Sequence, residues 1–295
     1  MAKHLFIINP SAGKGHALEY IPEIHRLFKN SNDQYIIKIT EYPGHATELV
    51  KSYISNEDIF VYSLGGDGTL NEIANAIVNT NSVLGTIPCG TGNDFIRSLI
   101  PSKNYEDILS KTVKGEIRTI DTAKANDRYF INISSVGFDS EVVSNARLFK
   151  KKKFIPSSLA YIISLFYTPF KFKSIPMKID IDGHIVEEDN LLLAICNGSQ
   201  YGGGIPISPQ ASIYDGKLDV CMVKTCKLTR LLSVLPKALS GNHTNVEEVT
   251  FFSGKSINIE SPVNFTLQSD GELFTCNEVS FSLHPKSLRI LYPKI

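Results

Sequence analysis

Apolar residues in the N-terminal part of the chain fall into short blocks. Leu5-Phe6-Ile7-Ile8, residues 35–40, Ile59-Phe60-Val61-Tyr62 and Val83-Leu84-Gly85-Thr86-Ile87 have the length and β-rich content of buried strands. Between the blocks the spacing turns helical. One helical pattern runs to about Asn30, and a second opens at Gly44-His45-Ala46-Thr47 and continues to about Ser55. A third places Leu70, Ile73, Ala74, Ile77 and Val78 on one face. Strands alternating with helices at this interval predict a parallel sheet covered on both faces. The rhythm changes near Ile117. From there strands are predicted over 117–125, 129–136, 177–182, 190–197, 217–224, 256–260, 264–268 and 278–283, with turns such as Asp182-Gly183 and Asp215-Gly216 between them. The expected fold class is α/β with two domains. An N-terminal parallel-sheet, nucleotide-binding domain covers 1–123, and a C-terminal antiparallel β-sandwich-like domain covers 124–285. A last strand, Leu288-Arg289-Ile290-Leu291 within 286–295, is expected to return to the first domain.

Three predicted strand ends carry unusual loops, 9–15, 64–69 and 88–94, and ligands on such sheets sit beyond the carboxyl ends of the strands. The central loop, Leu64-Gly65-Gly66-Asp67-Gly68-Thr69-Leu70-Asn71-Glu72, joins a strand to a helix through glycines that let backbone N–H groups face a phosphate. Asp67 is its unexpected member, because a carboxylate about 4 Å from a phosphate charge is repelled by roughly 4 kcal/mol at an effective dielectric near ~20. It fits if Mg²⁺ lies between, or if it handles a substrate hydroxyl, which is a kinase-like reading; an aspartate capping the next helix is the alternative. The loop is not GxxxxGK[ST], nor GxGxxG, since Asn71 stands where the third glycine would be. Asn9-Pro10-Ser11-Ala12-Gly13-Lys14-Gly15 offers small residues and one cation to a nucleotide phosphate, or is an ordinary strand-to-helix turn. Gly90-Thr91-Gly92-Asn93-Asp94 adds a second flexible turn, a hydroxyl and a carboxylate, with helix capping as the rival role for Asp94 and either phosphate or Asp94 as partner for Arg97. Ser269-Asp270-Gly271-Glu272 reads as a hairpin turn, unless the β domain folds over the first domain's loops and brings these carboxylates to a reacting hydroxyl. Tyr201-Gly202-Gly203-Gly204 with residues 212–219 is a plain hairpin or, through one carboxylate and turn carbonyls, a seat for a hard cation.

Composition narrows the function classes. In 295 residues, thirty basic and thirty acidic side chains give no global pull toward nucleic acid, so no nucleic-acid partner is expected. Five cysteines without a CxxC pair read as reduced thiols of a cytosolic protein. The seven histidines lack zinc-type spacing, and no nucleophilic triad emerges. No signal-peptide pattern opens the chain and no apolar run reaches spanning length, which predicts a soluble, cytoplasmic protein. Locally the charge is uneven. Residues 142–179 hold eight basic side chains and no acidic one, and the Lys150–Lys153 run precedes a greasy stretch, Phe154 to Tyr167. This is the pattern of an interfacial anchor, worth roughly 1 kcal/mol per lysine at an anionic leaflet, so peripheral membrane contact is expected; a helix packed on the sandwich is the alternative.

Asn9-Pro10 with Gly13 and Gly15, Gly65-Gly66-Asp67-Gly68-Thr69 with Asn71-Glu72, and Gly90-Thr91-Gly92-Asn93-Asp94 resemble the bacterial diacylglycerol kinase-type lipid kinases, whose catalytic domain sphingosine and ceramide kinases share. The later pattern of Gly202-Gly203-Gly204, Pro209, Ala211, Asp215-Gly216, Leu218-Asp219 and Asp270-Gly271-Glu272 continues the likeness in order over nearly the whole chain. The resemblance implies ATP in the interdomain cleft, with nucleotide contacts on Asn9, Pro10, Ser11, Ala12, Gly13, Thr40, Gly66, Asp67, Gly68, Thr69, Leu70, Asn71, Glu72 and Thr91. It implies catalytic roles for Asp67, Asp94, Asp270 and Glu272, with Glu272 at the proton-acceptor position and Asp121 in the same acidic network. It also implies a structural Mg²⁺ at Ser212, Asp215 and Lys217, although Lys217 stands where the family often has an apolar residue. The expected activity is ATP- and Mg²⁺-dependent phosphorylation of diacylglycerol or a related lipid at the membrane surface. An NAD kinase-like enzyme and a non-catalytic nucleotide-sensing module are the rivals, and an exposed strand edge in the β domain would admit a homodimer.

Overall fold

The computed structural model describes residues 1–54, 57–100, 105–150, 163–164, 167–168 and 173–294. Strands β1 (Lys3–Ile8), β2 (Gln34–Ile39), β3 (Phe60–Gly65) and β4 (Val83–Pro88) lie in the spatial order β2-β1-β3-β4. Helices α1 (Ile21–Phe28), α2 (His45–Ile54), α3 (Asp67–Ile77), α4 (Asp94–Leu99) and α5 (Ile108–Val113) belong to the same part of the chain. Helix α1 starts with Pro22 in its first turn, where a missing N–H costs nothing, and buries Ile24 and Phe28. The single helix expected ahead of Asn30 is broken. Gly13, Lys14 and Gly15 all have positive φ, so the chain enters α1 through a left-handed kink within a 3₁₀ segment, Ala12–Tyr20.

The remaining strands are β5 (Glu116–Ala125), β6 (Arg128–Phe130), β7 (Ile133–Gly137), β8 (Ile175–Ile181), β9 (His184–Cys196), β10 (Leu218–Lys224), β11 (Val249–Gly254), β12 (Ser256–Ser269) and β13 (Glu272–Tyr292), with helices α6 (Phe138–Lys150) and α7 (Leu228–Leu239) among them. Strands β9 and β12 each serve two layers. The first part of each pairs with β8 and the second part with β7, both antiparallel, so the layers fold over a shared core that includes Phe130, Ile179, Leu193, Ile195, Val220 and Phe281. This is a β-rich C-terminal domain built on alternating apolar positions: in β8, Ile175, Met177, Ile179 and Ile181 are buried while Pro176 and Lys178 between them are exposed.

The expectation of a purely parallel sheet set apart from an antiparallel one is corrected by the pairing. Among the described residues there is one thirteen-stranded sheet, and it is predominantly antiparallel. Parallel neighbours are confined to β1–β2, β1–β3, β3–β4 and a short contact of β13 with β4, Arg289 opposite Val83 and Ile290 opposite Leu84. Strand β13 is long enough to leave the sandwich and bury Leu288, Ile290 and Leu291 in the N-terminal core. The predicted strand 129–136 is split, because the N–H groups of Ile131, Asn132 and Ile133 turn to the Asp270 carboxylate at the break between β6 and β7. Strand β11 and helices α6 and α7 are additions to the strands expected here; α7 buries Leu231, Val234 and Leu235 at helical spacing. No helix among the described residues is long and apolar enough to cross a membrane. The lysine-rich run from Lys151 and the greasy stretch after it lie almost wholly outside the described residues.

Candidate active site

The three unusual loops meet at one place. The Asn9 N–H donates to the Leu64 carbonyl (3.0 Å), and Asn9 Nδ2 donates to Thr69 Oγ1 (3.0 Å). A Cβ on Gly90 would stand 2.5 Å from the Cα of Gly66, so the second and third loops touch backbone to backbone only because both positions are glycine. Gly13, at φ +58°, is held as close: a Cβ there would meet the Cys89 carbonyl oxygen at 2.5 Å. Helix α3 makes its first intrahelical bond from Leu70 N to Gly66 O, which leaves the preceding N–H groups of the turn for an anion. Gly68 has open space in front of it.

Beside these turns a cavity of 150 Å³ is lined by Asp67, Asp94 and Asp270 together with Asn132, Tyr201 and Gln268. Carboxylates from both halves of the chain therefore share one crevice. Asp67 Oδ1 accepts the N–H groups of Asp94 (2.8 Å) and Phe95 (3.3 Å), so it caps α4 rather than its own helix. Burial pushes its carboxyl above the usual range, against the lowering effect of those bonds. Asp94 reaches across to the β domain, accepting the Gly203 N–H at 2.9 Å, and burial followed by the charge of Asp67 pushes it up to about 6. Arg97 packs on Gly204 and donates to the Gly92 carbonyl. Asp270 accepts from Asn71 Nδ2 and Ile131 N on one oxygen and from Asn132 N and Ile133 N on the other. Burial pushes it up to about 6 as well. Four donors occupy this carboxylate, which makes it a pin between α3 and the β domain.

The other expected residues divide in two groups. Asn9, Pro10, Ser11, Thr40, Gly68, Thr69 and Glu72 line a second cleft of 340 Å³ on the far side of the glycine turn. Gly66 and Gly13 supply the close backbone approaches described above. Ala12 and Leu70 are buried in the N-terminal core, and Thr91 is exposed on its loop. Side chains of three residues expected at the nucleotide or in catalysis are engaged elsewhere. Asn71 bridges to Asp270 and the Tyr129 carbonyl. Both oxygens of Glu72 accept loop N–H groups, from Gly44 (2.9 Å) and Ala46 (3.1 Å). Glu272 does not line the acidic cavity; it pairs with Arg128 at 2.6 Å, both half-exposed. Asp121 ties loops together, accepting Gly216 N and Lys286 N at 2.8 Å each.

Side chains at the expected structural metal site do not form an oxygen cage. Ser212 Oγ accepts the Tyr214 N–H, Asp215 Oδ1 accepts the Lys217 N–H, and the Lys217 ammonium lies 3.8 Å from Asp215 and 3.9 Å from Asp219. Among the described residues no cluster of three or more His, Cys, Asp or Glu could hold a metal. Sequence reasoning missed Asn132 and Asn197, and it placed Tyr201 in a hairpin or cation-seat cluster rather than on the acidic cavity. Asn197 Nδ2 donates to the carbonyls of Asp121 (3.0 Å) and Ile131 (2.7 Å), and nothing in the Cys196-Asn197-Gly198 run announces that bridge. An apolar cavity lies under α7, lined by Val142, Leu191, Ile205, Leu231 and Leu235, and Tyr201 is common to it and the acidic cavity.

Residues 3–125 match the diacylglycerol kinase catalytic domain, and residues 132–292 match the YegS C-terminal NAD kinase beta sandwich-like domain. The chain belongs to the diacylglycerol kinase family. It is 30% identical over 269 residues to a diacylglycerol kinase of Staphylococcus aureus, covering 90% of this chain and 84% of that one. It is 26% identical over 275 residues to a diacylglycerol kinase of Bacillus subtilis, covering 92% and 90%. A crystal structure of a diacylglycerol kinase from Bacillus anthracis superimposes with a TM-score of 0.73 at 26% identity, covering 99% of this chain and 97% of that one. Family membership makes this protein a lipid kinase by descent.

Proposed function

We propose that this protein transfers the γ-phosphoryl group of ATP to the hydroxyl of diacylglycerol or a closely similar lipid. The observation that carries the reading is the position of the acidic cavity: Asp67 and Asp94, on the glycine turns after β3 and β4, line it, the turn after β1 packs against Cys89 beside them, and the apolar cavity under α7 shares Tyr201 with it. ATP enters with its Mg²⁺ as substrate. The oxygen donors of Asp67 and Asp94 fit that ion, whose charge offsets the phosphates beside two carboxylates. The turn N–H groups around Gly66 and Gly68 face the phosphates, and the lipid chain lies toward the apolar side. The lipid oxygen forms its bond to Pγ as the bond from Pγ to the bridging oxygen breaks, and ADP departs. Glu272 takes the hydroxyl proton after Arg128 shifts off it, and Asp270 positions the turn that carries Glu272. Docking on an anionic bilayer through the Lys150–Lys153 run, and pairing of two copies along a strand edge, complete the proposal.

Transfer of ³²P from labelled ATP is measured with a panel of lipids in mixed micelles, and with NAD in a parallel arm because the β domain matches the NAD kinase sandwich. Labelled phosphatidic acid is the expected product. Label in NADP, or in no acceptor while ATP still binds, would set the reading aside.

A further inference from the structure

The cleft on the far side of the glycine turn contains an aromatic ring that no feature of the acidic site explains. Strands β1 and β2 end side by side, and the cleft between them is bounded by Asn9 to Ser11, Thr40 to Pro43 and the first turn of α3. Its 340 Å³ falls in the range of about 300–1,000 Å³ typical of small-molecule sites. Tyr42 lines it and is 49% exposed. An exposed tyrosine in a loop is ordinarily free to rotate, yet this one is fixed at both ends. Its hydroxyl donates to Glu48 Oε2 at 2.7 Å, and its ring stacks on the His45 imidazole with centroids 4.5 Å apart and planes 5° from parallel. The imidazole is itself oriented, because its Nδ1 accepts the Glu41 N–H at 3.1 Å. The loop beneath is clamped to α3 by the Glu72 carboxylate through Gly44 and Ala46, and by Thr47 Oγ1 donating to the Glu72 carbonyl at 2.8 Å. The result is a rigid aromatic plane at one end of a cleft whose other end is Gly68 and Thr69.

We infer that Tyr42 is the platform on which the base of the nucleotide stacks, so that the cleft selects nucleoside triphosphates over bare polyphosphate. The inference rests on the ATP reading above and adds a specificity-determining residue to it. A π face recognises any base, since every base offers one, and a pre-fixed ring loses little freedom when the base lands on it. No hydrogen-bond donor or acceptor on Tyr42 is needed for this, because its hydroxyl is already committed to Glu48. The platform therefore favours a base of any kind and leaves the distinction between bases to other groups.

The chain contains no tryptophan, so Tyr42→Trp installs a unique fluorophore at the platform. Binding of MgATP is expected to quench its emission, whereas inorganic tripolyphosphate with Mg²⁺ leaves it unchanged. By calorimetry, Tyr42→Ala is expected to raise the Kd of MgATP about tenfold and to leave that of tripolyphosphate unaltered. Equal melting temperatures of the wild type and Tyr42→Ala certify the fold. Wild-type affinity of Tyr42→Ala for MgATP, or an equal loss for both ligands, would overturn the platform while the ATP reading stands. Failure of the wild-type protein to bind MgATP would instead remove the ATP reading, and the platform with it.

Discussion

Asp139 tests how strongly this fold tolerates a buried charge. It opens α6, is fully enclosed, and lies against the apolar cavity under α7. Oδ2 accepts the Ser135 hydroxyl, and Oδ1 has no hydrogen-bond partner. Burial, offset in part by Ser135 and Tyr201, pushes the carboxyl from 3.8 up to about 6. A rise from 3.8 to about 6 corresponds to up to about 3 kcal/mol of destabilisation once the group is ionised. The sign follows from proton linkage. The folded state holds the proton more tightly than the unfolded chain, so the stability present below about pH 4 is lost as the pH rises through about 6. Asp139→Asn is nearly isosteric, keeps an acceptor for Ser135 and removes the charge. Above pH 7 the variant is expected to be the more stable protein by up to about 3 kcal/mol, equivalent to a melting temperature roughly 6 °C higher. Near pH 4 the two are expected to melt together. Thermal melts followed by circular dichroism from pH 4 to 8 make the comparison. A variant that melts below the wild type at pH 7.5, or an offset that does not change with pH, would refute the reasoning.

Other parts of the account can be perturbed singly. Gly90→Ala places a methyl group 2.5 Å from the Gly66 backbone, so it is expected to cost about 1–3 kcal/mol in chemical denaturation and to weaken MgATP binding; unchanged values of both would show that the turns need no close contact. Glu272→Gln is expected to lower phosphoryl transfer by about 10²-fold or more and to leave MgATP affinity intact, and normal turnover would remove Glu272 from proton transfer. With the Lys217 ammonium 3.8 Å from Asp215 and 3.9 Å from Asp219, exhaustive chelation is expected to leave the melting temperature unchanged, and a clear fall on chelation would show a resident structural metal.

What could be read in the sequence and what could not separates along physical lines. Strand ends and glycine turns were legible because each rests on local rules: apolar run, then glycine, then helical spacing. The convergence of loops 9–15, 64–69 and 88–94 follows from those ends lying on neighbouring strands. Non-local pairing was hidden. Nothing near Asp270 says that its carboxylate will take three N–H groups from 131–133 and one from Asn71, and that demand is what breaks 129–136 into β6 and β7. Glu72 stood in a nucleotide-contact motif, yet its two oxygens brace the loop that carries Tyr42, a use visible only once α2 and α3 are side by side. Strand β11 and helix α7 escaped because short apolar runs of mixed spacing fit either element.

The central claim is that Asp67, held in the crevice beside Asp94 and Asp270, serves phosphoryl transfer to a lipid hydroxyl. It is tested most directly by ³²P transfer from labelled ATP to diacylglycerol in mixed micelles, comparing the wild type with Asp67→Asn at equal melting temperature. The account predicts labelled phosphatidic acid from the wild type and a loss of at least about a hundredfold in the variant. Transfer by Asp67→Asn at the wild-type rate would contradict it.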